Sequence, residues 1–273
     1  MPELLNQPVV QFAAAPFIIA FFVAVLGRAV RLSGIALVAG FAISVWLVMG
    51  VRLLPLNAPR LIILVTLAAC AAGLLLDFIN AHASRTRWLI AGAAAALVVW
   101  LLFPALSQRD PLIAWAAGIG LALYCALVAT GMDSLHVRPV NAAVAAFALS
   151  LGVGAAAVVG ASPLLGNLGF AMSAASAAVV IVQMLTGRPW IIGRAFTLPV
   201  AMFGGLAGAQ VVTYGKLPWY CLVPLAGIPL LAGTAIAQYQ TVWIRAMMLA
   251  IATLAFSAAA VFIAWRELGS PPI

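Results

Sequence analysis

The sequence predicts an all-α polytopic membrane protein, and three observations predict it. Of the 273 residues, 67% are hydrophobic and only 7% are charged, whereas a soluble domain carries roughly a quarter of its residues as Asp, Glu, Lys and Arg. Apolar stretches of the ~20 residues needed to cross a ~30 Å hydrocarbon core recur along the whole chain. These stretches are continuous instead of alternating, so helices rather than barrel strands must satisfy the backbone groups in lipid.

Cutting at charges, prolines and polar clusters gives about ten transmembrane spans. The first, residues 8–27, opens at Pro8 and closes before Arg28 and Arg31. The next four are 33–51, 60–79, 88–107 and 111–132, bounded in turn by Arg52, Arg60, the Arg85/Arg87 pair and the Arg109-Asp110-Pro111 joint. The second half supplies 139–160, 163–185, 195–213, 217–238 and 241–265. Proline stands at the start of several spans, where a missing amide costs nothing. The joints are short and leave the chain as one transmembrane domain. "MPELLNQPVVQ" carries an acidic residue and no Lys or Arg ahead of the first span, so that span is expected to stay rather than be cleaved as a signal peptide.

Alternate joints place Arg28, Arg31, Arg85, Arg87, Arg138, Arg188, Arg194 and Arg245 on one side, and Arg52, Arg60, Arg109, Lys216 and Arg266 on the other. The richer side is assigned to the cytoplasm, which puts both termini outside, with a bacterial inner membrane as the expected location. This bias also accounts for the net charge of +8. The basic residues form no stripe with interleaved aromatics, and no nucleic-acid partner is expected. Most tryptophans fall near span ends, where indoles favour the headgroup region.

Corresponding spans in the two halves start at Pro8 and Pro139, Ser33 and Pro163, Arg60 and Arg194, Trp88 and Leu217, and Pro111 and Thr241, about 130 residues apart in each case. Five spans per half make the halves, 8–132 and 139–265, a candidate inverted repeat, an architecture of secondary transporters whose sites lie between the halves. Regular helix lengths alone also produce such spacing.

Interrupted helices are the best pointer to a site at membrane depth. Pro224, Gly227 and Pro229 fall close together in the ninth span, where a break is expected. The eighth carries Thr197, Pro199, Gly204, Gly208 and Gln210, and in the seventh Gly169, Ser173, Ser176 and Gln183 share one helical face. The site expected between these spans comprises Ser173, Ser176, Gln183, Thr197, Gln210, Pro224, Pro229 and Arg245. The competing reading is structural: small residues let helices approach, and hydroxyls bond carbonyls one turn back. Arg245 lies about five residues into the last span, roughly 7–8 Å deep at helical rise. It reads either as a snorkelling interfacial anchor or as a ligand for a substrate or ion.

Asp77 ends an apolar run and is the best candidate for the carboxylate of a proton- or sodium-coupled carrier, but it lies near the cytoplasmic interface, where Arg85 or Arg87 can neutralise it, and the interfacial reading is preferred. Asp110, Asp133, Glu3 and Glu267 fall in expected loops or tails. Cys70, Cys125 and Cys221 read as small buried apolar residues. No HExxH, GxSxG, P-loop or dinucleotide fingerprint is present, and no cofactor is expected.

Three functions remain open. The leading one is a small transporter or channel for a small neutral or anionic solute. The second is a non-catalytic subunit or assembly factor of a larger membrane complex. The third is a lipid-acting enzyme built on the Asp77, His82, Arg85, Asp133, His136 and Arg138 loops. The expected partners are the lipid bilayer and a small-molecule solute, with a homo-oligomer or membrane-complex partners also open.

Overall fold

The computed structural model describes residues 7–27, 34–50, 56–79, 83–215, 217–234 and 241–269. Among them the ordered elements are helical: α1 (Val10–Gly27, opening with a π-helical turn), α2 (Ile35–Met49), α3 (Ala58–Phe78), α4 (Ala83–Leu106), α5 (Pro111–Ser134), α6 (Pro139–Val159), α7 (Pro163–Thr186), α8 (Gly193–Tyr214), α9 (Leu222–Ala232, preceded by a 3-10 turn at Trp219–Cys221) and α10 (Val242–Leu268). A helix lies on each expected span, but eight are long and apolar enough to cross a membrane. α2 has 15 residues and α9 has 11, short of the ~20 a crossing needs. Ser33 and Gln238, at the expected ends of those two spans, lie outside the described residues.

The helix starts follow from local chemistry. Pro111, Pro139 and Pro163 stand at the first positions of α5, α6 and α7, and Asn57 caps α3 by accepting from the Arg60 amide at 3.2 Å.

α8 is the central element and is almost wholly enclosed. It packs on α3, α5, α6 and α4. α6 packs most extensively on α7 and also on α10, α8 and α9. Gly154 and Gly169 set the α6–α7 distance: a Cβ on Gly169 would stand 2.6 Å from the Gly154 Cα, so the two backbones touch directly. α1 pairs with α2, α4 with α5, and α9 with α10; α2 also packs on α7.

The outer faces of α1, α4, α5 and α10 expose large apolar side chains, among them Phe22, Trp88, Trp100, Leu112, Trp115 and Ile251. In water such a surface would be unstable; in a bilayer the tails cover it. The chain is therefore an integral membrane protein of helical type.

Candidate functional site

Charge is concentrated at the two ends of the helices around α8. At its N-terminus Gly193 has φ +65, and a Cβ there would stand 2.2 Å from the Asp77 carboxylate. Only glycine fits both conditions. The turn it makes aims two backbone amides at α3: Asp77 accepts from the Arg194 amide at 3.0 Å and from the Ala195 amide at 3.1 Å. A carboxylate from one helix thus caps the positive end of another. The Arg194 side chain turns the other way, to α5, where its Nε donates to Asp133 Oδ1 at 2.8 Å with both side chains buried. α3, α5 and α8 are fastened together at one point.

This corrects two expectations. Asp77 is engaged by the start of α8, while Arg85 and Arg87 are exposed. Asp133 is not a loop residue: α5 continues through Ser134 and carries it into the protein. The described residues of the expected six-residue loop site take different partners. Asp77 and Asp133 converge on α8, the His136 ring contacts the Asp133 carbonyl, Arg138 turns to α9, and His82 lies outside the described residues.

A second polar cluster ties the ends of α6, α7, α9 and α10. Arg138 Nη1 donates to the Gly233 carbonyl and Asn141 Nδ2 to the Ala232 carbonyl, each at 2.6 Å, so side chains of α6 satisfy the orphan C-terminal carbonyls of α9. Arg245 Nε then donates to Asn141 Oδ1 at 2.7 Å. The half-buried Arg245 is a structural tie between α10 and α6. Gln183 donates weakly to the Pro139 carbonyl at 3.4 Å, and its buried Oε1 has no hydrogen-bond partner.

The other expected site residues are spread over the bundle. Ser176 bonds the Met172 carbonyl one turn back, and Ser173 reaches the Phe147 carbonyl of α6 at 3.2 Å, both in line with the structural reading. Thr197 is fully buried with its hydroxyl unpartnered. The sequence predicts a break or kink around Pro224, Gly227 and Pro229, but no break interrupts the helix over Leu222–Ala232. Pro224 sits in the first turn of α9, where no α-helical bond is lost, and Pro229 remains inside a continuous helix packed against Gly131 of α5. α6 packs on both α7 and α9. Gly204 and Gly208 are close-packing positions against Leu149 and Tyr124, and the Tyr124 hydroxyl donates to the Gly204 carbonyl at 3.1 Å.

Gln210 is placed differently. Near the C-terminal end of α8 it helps line a cavity of about 440 Å³, within the range of small-ligand sites. The walls come from the ends of α6, α8 and α10 and the start of α7, including Val159, Leu165, Tyr214 and Leu268. Gln210 is 7% exposed, and its Oε1 is buried with no partner. The rim is formed by Gly160, Ala161 and Ser162. There the Ser162 amide bonds the Ala157 carbonyl at 2.8 Å and the Ala161 amide the Val158 carbonyl at 3.2 Å, a Schellman ending of α6. The left-handed position of that motif, φ +61, is held by Ala161 rather than glycine, a strain of order 1–2 kcal/mol. The Ser162 side chain makes no capping bond to α7 and is left at the rim.

Among the described residues no group of three or more His, Cys, Asp and Glu side chains could hold a metal ion. Cys70, Cys125 and Cys221 are free and buried. No protein-family model matches the chain, and no curated protein matches it significantly.

Proposed function

We propose that this protein is a small transporter or channel for a small neutral or anionic solute, with its path beside α8. One observation carries the reading: the most enclosed helix among the described residues has a cavity at one end, with the buried amide of Gln210 in its wall. Buried polar groups without partners are costly in a membrane protein and mark solute pathways by default.

In this reading α2 and α9 also cross, giving ten spans in a bacterial inner membrane with both termini outside, the Arg194 end of α8 cytoplasmic and the Gln210 cavity facing outward. The five-plus-five repeat is part of the proposal. Its support is that α3 packs on α8 and α2 on α7, the pairs a two-fold between the halves would bring to its axis. Against it, the close packing of α6 on α10 has no comparable counterpart between α1 and α5.

The test is solute flux into proteoliposomes containing the purified protein, with glycerol, acetamide and acetate as probes. Flux above protein-free liposomes that Gln210→Leu reduces at unchanged insertion is expected. Background flux for all three removes the reading.

A specific observation favours a second reading, a non-catalytic subunit of a membrane complex: Asp77, Asp133, Asn141, Arg138, Arg194 and Arg245 are all used to join helices. Native mass spectrometry after gentle extraction decides it. Stoichiometric co-release of other polypeptides supports the subunit, and a lone monomer or homo-oligomer removes it.

A further inference from the structure

We infer that the cavity at the end of α8 binds a small uncharged molecule carrying a carboxamide or a similar paired donor and acceptor. The inference rests on the transport reading for its biological purpose, but the binding chemistry is read from the walls.

The polar wall is the side chain of Gln210, which is more than nine-tenths buried and whose Oε1 has no hydrogen-bond partner among the described residues. A carboxamide presents a carbonyl acceptor and an N–H donor side by side. A second carboxamide meets both with two antiparallel N–H···O=C bonds, whereas an alcohol or an ion meets them less fully. The hydroxyl of Ser162 adds a donor and acceptor at the rim, since it is not spent on capping α7.

The remaining wall is apolar, with Val159, Leu165, Val211 and Leu268 leaving room for a short alkyl group. Among the described residues no lining residue is acidic or basic, and burial of an ion without a counter-charge is far more costly than burial of an amide. Arg109 is directed to the Thr213 carbonyl, where its Nη2 donates at 3.1 Å. Gln210 is also where specificity would arise, because a site with an unpaired amide rejects analogues that cannot pair with it.

The experiment is saturation-transfer-difference NMR on the full-length protein in lipid nanodiscs, with acetamide and propionamide as probes and acetate as the charged isostere. Saturable transfer to both amides and little to acetate is expected. Gln210→Leu should weaken the amide signal at least tenfold while melting no lower than the wild type, because it removes an unpaired buried amide. Gln210→Asn, which keeps the chemistry on a shorter stem, should retain part of the signal. Thr130→Ala, whose hydroxyl bonds only the preceding turn of α5, should bind as the wild type does. No saturable amide signal, a signal unchanged by Gln210→Leu, or preferential binding of acetate would each overturn the inference. Amide binding without flux in proteoliposomes leaves the site standing and removes transport. Flux without Gln210-dependent amide binding does the reverse.

Discussion

Asp133 on α5 and Arg194 on α8 form an ion pair 2.8 Å long, with relative exposures of 0% and 3%. In a chain with five acidic residues in all, placing one of them there fixes the register of the central helix against its neighbour. Desolvating both ions offsets much of their attraction, so such a pair specifies an arrangement more than it adds net stability.

Breaking one side of this pair should therefore be severe. Asp133→Leu removes the buried carboxylate that Arg194 Nε bonds and is expected to cost about 3–5 kcal/mol, read as a large loss of thermal stability in detergent. The double variant Asp133→Leu with Arg194→Met should recover most of the loss. If the double variant is as unstable as the single one, the pair is not what holds α5 to α8.

Asp77 caps α8 through two backbone amides, so its contribution is local. Asp77→Ala should cost about 0.5–2 kcal/mol, the range for loss of an N-cap. Gly193→Ala is expected to be worse, since it meets both the positive φ and the carboxylate 2.2 Å from the new Cβ. Thermal melts of the two variants give the order. Equal stability of Gly193→Ala and the wild type would show that the turn does not need glycine.

The eight long apolar helices were legible because a bilayer imposes one length and one polarity on every crossing, and proline and charge mark the ends. The ion pair was not. Asp133 and Arg194 each stand at the edge of an apolar run, where one more helical turn converts a loop charge into a buried one, and hydropathy does not resolve that turn. The ties at α9 were hidden for a related reason: Asn141 and Arg138 satisfy backbone carbonyls of a helix some 90 residues away, and carbonyls leave no trace in composition. Gln210 was legible as an amide inside an apolar run, but not its place beside a cavity. Pro224 and Pro229 misled because a proline in a helix's first turn, one inside a continuous helix and one at a break look alike in one dimension.

Arg245 now has a sharp test. As a tie to Asn141 it should tolerate Arg245→Lys poorly, because the Nε donor is lost, and Arg245→Leu should lower the melting temperature with a loss of about 1.5–3 kcal/mol, the range for a hydrogen bond to a charged group. A lipid anchor alone would accept lysine without loss. Wild-type melting of Arg245→Lys would return the residue to the interfacial role.

Ala161 offers the opposite kind of change, a predicted gain. It occupies the left-handed position of a Schellman ending at φ +61, where a Cβ costs roughly 1–2 kcal/mol and glycine pays none of it in the folded state. Glycine also gives the unfolded chain more freedom, which returns some of that gain. Ala161→Gly should therefore stabilise by up to about 1 kcal/mol, seen as a rise in melting temperature. Residues held in a sparse region of backbone space tend to cluster where a ligand is bound, and Ala161 is on the rim of the Gln210 cavity. Amide titrations of the same variant separate two origins for the strain. Unchanged affinity in the stabilised protein makes Ala161 a local compromise in ending α6, whereas weaker affinity in a more stable protein means that the stiff rim holds Ser162 in position beside Gln210.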